Sequence, residues 1–503
     1  MFAAIDKYLV KHAPPWYRTP VVQTALLGFV FFWVFAAYTT VQFYAKSTYG
    51  SDLAADSVSA LYLTFTITCL FAPGIINKCG CRVAMFVGVL GYANLVLASL
   101  IYFQYGGEDV RWTRRLVVLG GAICGVGAST LWTAQGRLIL QYAARAEELE
   151  NNKRQLGSND NRIEGKAKTS SRGTLMSIFW SIFQCSSLVG GSISFMYYNK
   201  KPEGSTSLYT LFLGFIFIGA IFTQFLLPPS MLQSNDKINE EKDLEMKSEQ
   251  TPLNVDASAQ YDRGESQMSE KNESEAAIKE DLSNKSWIEE ARGTIQIFFT
   301  REMVYLSPLF MYTGFNQPYQ QATFGNRFFT KRTIGVELII FHLMEIIGAI
   351  LVGRFLDNDE SGHDSPRKRA IICLISFVLI NGTGNAIAFF QEIAAKHSLT
   401  PITSDIAEMR TVIPSSAFAL WGFADAQIQV YCYWLIGSIY KSGHDHSRAV
   451  GWYKCVQSLG SAIGFFSIPT TRLSEIAQLS VSSLLFLVGT ALSFTQLPSS
   501  TAL

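Results

Sequence analysis

The sequence predicts an all-α polytopic membrane protein with about twelve transmembrane helices arranged as two six-helix halves. Of its 503 residues, 49% are hydrophobic and only 16% are charged, whereas soluble domains usually carry about 25% charged residues. The apolar residues gather into blocks of about 20, the length that spans a bilayer core as a helix. Because lipid offers an open backbone no hydrogen-bond partners, such blocks must be helical.

The first six blocks form a predicted N-terminal half at residues 21–227, after a cytosolic N-terminus at residues 1–20. Pro228 and Pro229 end this half, because proline cannot continue a helix. The six helices are predicted at residues 21–44, 55–76, 83–105, 116–142, 173–198 and 207–227.

A polar segment at residues 228–302 separates the two halves. Most of it is rich in Asn, Ser, Glu and Lys, a composition that cannot bury a core. Its end, residues 287–299, alternates apolar and charged residues at helical spacing. This pattern predicts either an amphipathic helix on the membrane surface or a cytosolic extension of helix 7.

The C-terminal half is predicted at residues 303–497, followed by a cytosolic tail at residues 498–503. Its helices are expected at residues 303–323, 334–355, 370–390, 417–440, 449–468 and 473–497. Lys and Arg are more frequent in the loops on one side, which places both termini and the central loop in the cytosol. The pattern does not distinguish the plasma membrane from an endomembrane.

Several classes of function lack their motifs in this sequence. The net charge of +1 gives no sign of a nucleic-acid partner. The eight cysteines have no zinc-site spacing, and phosphate loops and hydrolytic triads are absent. We therefore expect no enzyme activity, no cofactor and no metal site.

The two halves repeat each other weakly. Helix 5 begins with S-R-G at 171–173 and carries Trp180 and Gln184, while helix 11 begins with S-R-A at 447–449 and carries Trp452 and Gln457. Weak symmetry between halves is typical of transporter folds built from repeats.

Helices 4, 5 and 10 carry motifs specific enough to indicate a family. Helix 4 has G-V-G-A at 125–128 and L-W-T-A-Q-G at 131–136; helix 5 has I-F-Q-C-S-S at 182–187; helix 10 has L-W-G-F-A-D at 420–425. The sequence thereby resembles the uncoordinated-93-like family, a branch of the major facilitator superfamily. The resemblance implies a twelve-helix facilitator fold. Relatives in this family are described as regulators of potassium channels or as trafficking partners of membrane receptors.

The loops after helices 2 and 8 resemble the short glycine, acidic and basic loop of that superfamily, the first in a degraded form. Asn77, Lys78 and Arg82 follow helix 2, and Asp357 and Arg367 follow helix 8. These groups are predicted to pair across the cytosolic mouth as a latch. The alternative is plain positive-inside charge.

Polar residues concentrate on the helices that line the central cavity of a facilitator fold. Intramembrane polar groups are costly and often functional, although a single amide more often makes an interhelical hydrogen bond. The candidate cavity and substrate-binding residues are Gln42, Trp132, Thr133, Gln135, Gln184, Gln317, Gln320, Asp425 and Gln427.

Three ionisable residues are candidates for coupling. Asp425, about eight residues into helix 10, is predicted to bind a cation or exchange a proton. Its alternative role is a fixed pair with Lys454, although snorkelling of Lys454 to the cytosolic surface is favoured. His342 and Glu345 lie three residues apart on one face of helix 8, as a proton relay or as a satisfied structural pair.

The sequence supports two candidate functions. The first is a transporter-like protein for a small solute or a monovalent cation, which binds between the halves in the bilayer. The second is a non-transporting regulator or trafficking partner of another membrane protein, such as an ion channel. The acidic residue in a polar cavity favours the first, whereas the degraded first loop and the resemblance favour the second.

Overall fold

The computed structural model describes residues 13–106, 110–156, 172–200, 206–232, 287–357, 365–398, 402–440, 442–468 and 472–498. The expectations for residues 1–12, for 233–286 of the central loop and for the tail beyond residue 498 lie outside these residues. The described chain is helical at each of the twelve predicted positions, as a polytopic helical protein requires. The helices are α1 (Pro20–Tyr49), α2 (Ser51–Cys69, continued by Ala72–Cys79), α3 (Cys81–Tyr105), α4 (Arg111–Leu156), α5 (Arg172–Lys200), α6 (Thr206–Phe225), α7 (Arg301–Gln317), α8 (Lys331–Asp357), α9 (Pro366–His397), α10 (Val412–Ile439), α11 (Gly443–Ser467) and α12 (Glu475–Phe494).

Two of these helices are irregular, and proline lies at each irregularity. The two segments of α2 meet at a bend of 61°, and Pro73 occupies the first turn of the second segment, where its missing N–H costs nothing. At Pro318, α7 widens into a π-helical turn, Pro318–Phe324, before Gly325–Phe328, because proline lacks the N–H that a regular turn needs.

The twelve helices differ in how much apolar surface they offer to lipid. Within the described residues, eight helices are long and apolar enough to span a membrane, and the bent pair of α2 makes a ninth. The remaining three are α7, α10 and α11. Every residue from 424 to 438 of α10 is buried. A helix enclosed by protein on all sides does not need a lipid-facing apolar stripe.

The helices pack in the same pattern within each half. In the first half α1 packs against α5 and α6, α2 against α4, and α3 against α6; in the second, α7 packs against α11 and α12, α8 against α10, and α9 against α12. Across the halves, α2 packs against α11 and α5 against α8. Each of these contacts within one half has its counterpart in the other, as expected for a structural repeat.

The segment before α7 forms a separate helix, Trp287–Phe298, here called the linker helix. It is not continuous with α7, because Thr300 lies between them and its side chain accepts the N-terminal hydrogen bond of α7 from Met303. The linker helix packs against α11 and against the second segment of α2, and the rings of Phe298 and Trp452 lie 4.9 Å apart. The end of the bundle that carries the linker helix is called the linker side.

On the linker side, α5 and α8 approach each other through glycine. A Cβ atom on Gly353 would lie 2.3 Å from the carbonyl oxygen of Gly173 and 1.7 Å from Oγ of Ser177. Only a residue without a side chain permits this contact. The two halves therefore meet backbone to backbone at this point.

Gly353→Ala should lower the melting temperature of the detergent-purified protein, because the added methyl group forces α5 and α8 apart at a cost of about 1–3 kcal/mol. Gly335→Ala is the matched control on the same helix, since nothing lies within 4 Å of a Cβ there. Equal melting temperatures for the two variants would contradict the close contact between the halves.

Candidate functional site

Asp425 is the centre of a buried polar network in the C-terminal half. Its side chain is 1% exposed and accepts hydrogen bonds from three amides. Nδ2 of Asn316 lies 3.3 Å from Oδ1, and Nε2 of Gln317 and Nε2 of Gln429 lie 3.5 and 2.7 Å from Oδ2. Gln429 is one turn further along α10, so both side chains lie on one face of the helix. The amides of α7 and α10 therefore surround a single carboxylate.

Two ionisable residues of α8 extend this network. Glu345 is 1% exposed, and its carboxyl group lies beside that of Asp425. Nδ1 of His342 lies 2.7 Å from Oε2 of Glu345. The three residues form a continuous line from α8 to α10, which is the geometry that a proton relay needs.

Lys454 lies at the other end of the network. Its Nζ donates to Oε1 of Gln457 at 2.7 Å, and Nε2 of Gln457 donates to Oε1 of Gln429 at 3.3 Å. The favoured expectation that Lys454 snorkels to the surface is wrong, because its side chain is 2% exposed. A direct pair with Asp425 is also not formed; two amide side chains connect the charges. The sequence missed Gln457 as a site residue, although its i+3 spacing from Lys454 was a usable signal.

Aromatic rings from both halves enclose the ammonium group of Lys454. Nζ lies 4.3 Å from the ring centroid of Trp132, 4.8 Å from that of Tyr453 and 5.5 Å from that of Tyr433, within the range of cation–π attraction. Trp132 belongs to α4, and the two tyrosines belong to α10 and α11. The cluster therefore lies at the boundary between the halves.

Trp132 is held rigidly by other aromatic rings of the N-terminal half. Its ring packs against Phe31 at 4.8 Å, Phe35 at 5.3 Å and Phe183 at 5.4 Å. Edge-to-face contacts of this kind add to the apolar burial of each ring. One turn along α4, Oε1 of Gln135 accepts a hydrogen bond from the Tyr433 hydroxyl at 3.3 Å.

The structure brings together only some of the nine predicted cavity residues. Asp425 and Gln317 share the first network, and Trp132 and Gln135 lie beside Lys454. Thr133 and Gln184 are buried on α4 and α5. Gln42 lines a small crevice beside Tyr38 and Ser57. Gln320 is buried in the π-helical turn of α7. Gln427 is buried on the side of α10 that packs against α8.

The predicted latch residues make two kinds of contact on the linker side. Asp357 of α8 accepts hydrogen bonds from the backbone N–H groups of Gly173, at 3.0 Å, and of Thr174. A carboxylate at a helix N-terminus is favourable, because the unpaired N–H groups and the helix dipole both attract it. Oδ1 of Asn77 accepts hydrogen bonds from Arg137 at 2.7 Å and from Ser447 at 2.6 Å. Both Asp357 and Asn77 thus connect the two halves.

The basic latch candidates have different positions. Arg82 donates to the carbonyl oxygen of Gln224 at 2.8 Å, and Arg367 donates to that of Leu497 at 3.0 Å. Both contacts stay within one half. Lys78 is half-buried on the second segment of α2. Arg82 and Arg367 thus each bind a carbonyl group at a neighbouring helix end, and their pairing across the mouth stays a prediction.

Comparison with known proteins decides the family. Residues 55–154 and 161–494 match the family described as ion channel regulatory protein UNC-93. The chain belongs to the UNC-93 family. The UNC93-like protein 1 of Arabidopsis thaliana is 23% identical over 477 residues, which cover 93% of this chain and 87% of that protein. The UNC93-like protein MFSD11 of Xenopus laevis is 22% identical over 474 residues, which cover 89% of each chain.

Solved structures that resemble this UNC-93 family protein include transporters of the major facilitator superfamily. The proton:xylose symporter XylE has a TM-score of 0.58 at 12% identity, over 98% of this chain and 97% of that one. The Escherichia coli fucose:proton symporter FucP also has a TM-score of 0.58 at 12% identity, over 96% and 100% of the two chains. At such low identity the likeness shows the fold alone. The chain is therefore a multi-pass membrane protein with the predicted major facilitator fold.

Asp357→Ala should loosen the linker side, because the N-terminus of α5 loses the carboxylate that holds it to α8. A cysteine placed at Ser177, in a variant without the eight native cysteines, should then react several-fold faster with a maleimide. Arg367→Ala is the control on the same side, since Arg367 binds within one half. Unchanged labelling in Asp357→Ala would show that Asp357 does not hold the halves together.

Proposed function

We propose that this UNC-93 family protein is a secondary transporter in which Asp425 binds a proton or a monovalent cation that moves with a small solute. One observation carries the proposal: a buried carboxylate, held by amides of α7 and α10, belongs to a polar network that reaches Lys454 at the boundary between the halves. Transporters of this fold class bind substrate and coupling ion near mid-membrane between their repeats.

The chemistry around Asp425 suits a cation or a proton. The site contains the carboxyl groups of Asp425 and Glu345. It also contains the buried Oδ1 atom of Asn316, which has no hydrogen-bond partner. An acceptor left unpaired in a buried site costs about 1–3 kcal/mol. A bound cation, or an additional proton on the carboxyl pair, would reduce that cost. His342 and Glu345 would then deliver the proton.

The proposal also assigns the moving parts and the orientation. Residues 21–227 and 303–497 would rock as two units about the site, and residues 228–302 would connect them. The linker side would face the cytosol, with the N-terminus and the tail from residue 498 on that side. The contacts of Asp357 and Asn77 would open and close the cytosolic mouth.

A second candidate function is regulation or trafficking of another membrane protein, such as an ion channel. The description of the matching family, ion channel regulatory protein, favours it. On this view the buried network stabilises the fold, and no solute crosses.

Proteoliposome flux separates the two functions. With purified protein, we expect uptake of protons, sodium or potassium above empty liposomes. Asp425→Asn should reduce the rate at least about tenfold, because the amide cannot carry the negative charge that binds the ion. Glu337→Gln is the matched control, since Glu337 is equally buried on α8 but hydrogen-bonds Ser415 outside the network.

Two outcomes would contradict transport. One is the absence of flux in liposomes whose protein retains its melting temperature. The other is equal flux in Asp425→Asn and wild type. Absence of flux together with stoichiometric co-purification of a membrane channel would support the second candidate.

A further inference from the structure

The cluster around Lys454 contains hydrogen-bond donors that lack acceptors. An ammonium group has three donors, and Nζ of Lys454 has one acceptor within hydrogen-bonding distance, Oε1 of Gln457. Its other described neighbours include three aromatic rings, which attract the charge but provide no lone pair. No described carboxylate forms an ion pair with it. A buried charge in this condition is incompletely compensated.

A second buried donor lies in the other half and is connected to Lys454 through Tyr433. Gln135 is 0% exposed, and its Nε2 atom has no hydrogen-bond partner. The orientation of its side chain is fixed, because Oε1 accepts from the hydroxyl of Tyr433, whose ring also lies beside Lys454. Trp132 and Gln135 are three residues apart and therefore lie on one face of α4. An ammonium group of α11 and an amide N–H₂ group of α4 thus lie in one cluster.

The ammonium group of Lys454 and the amide nitrogen of Gln135 are both hydrogen-bond donors, so a ligand that binds them must provide hydrogen-bond acceptors. A carboxylate has two oxygens with about four acceptor positions, and it would also neutralise the ammonium group. We propose that Lys454 and Gln135 form a binding site for a small carboxylate anion between the two halves. The proposal deepens the proposed function, on which it rests, by naming the class of solute that moves with the proton or cation.

The position of the site suits a transported ligand. Lys454 belongs to the C-terminal half and Gln135 to the N-terminal half, so the anion is held by both halves at once. In this structure the cluster is closed, and the anion reaches it when α4 separates from α10 and α11. Gln457 and Gln429 lie between Lys454 and Asp425. The two charged residues therefore share a network, and Asp425 can still bind its own ion.

The test is ligand-dependent thermal stability of the purified protein. Sodium acetate and sodium benzoate should raise its melting temperature in a saturable manner beyond the value measured in equal concentrations of sodium chloride. Lys454→Met should abolish the response and Lys454→Arg should retain it. Gln135→Met, which keeps the volume but removes the donor, should weaken the apparent affinity about tenfold or more. Lys396→Met, an exposed lysine at the end of α9, should behave as wild type.

The inference is overturned if neither carboxylate stabilises the protein beyond sodium chloride, or if Lys454→Met and Gln135→Met both respond as wild type. Should Lys454→Met fail to fold, Gln135→Met decides alone. The readout is independent of transport. Carboxylate binding without ion flux would uphold the site and contradict the transporter, whereas flux of the cation without carboxylate binding would uphold the transporter and contradict the site.

Discussion

The structure depends on keeping a few charged and amide groups out of lipid. A charged side chain at the centre of a membrane helix costs about 3 kcal/mol on insertion scales, and Asp425, Glu345 and Lys454 each incur such a cost. The protein meets it by enclosing α10 on all sides between residues 424 and 438, and by placing the polar face of α7 and α11 against it. The outer helices, which have the long apolar blocks, then form the contact with lipid.

The polar network extends from α7 and α10 to α11, which packs against the N-terminal half. Amides bind each charge locally: Asn316, Gln317 and Gln429 bond Asp425, and Gln457 bonds Lys454. Amide side chains have both a donor and an acceptor, so a short chain of them can connect a carboxylate to an ammonium group without a direct ion pair. Such a network can gain or lose a proton or an ion with less rearrangement than a fixed salt bridge.

The linker side follows a different principle. There the halves are joined by backbone contact at Gly173 and Gly353 and by hydrogen bonds to helix ends, which are specific but few. At the interface of α2 with α11, Asn77 and Ser447 form a hydrogen bond between the halves. The linker helix packs over α2 and α11 beside that contact, so the segment that joins the halves in sequence also lies across their boundary in space.

The sequence by itself determined the membrane class, the twelve helical positions, the family and the residue at the centre of the polar network. Each of these depends on local information: block length, an acidic residue within an apolar block, and motifs on single helices. The tertiary structure decided the partners. The sequence could not show that Lys454 turns inward to Trp132, that Gln42 and Asp425 lie apart, or that Asp357 binds the start of α5. These outcomes depend on which helix faces lie opposite each other, and that is set by packing between residues far apart in the chain.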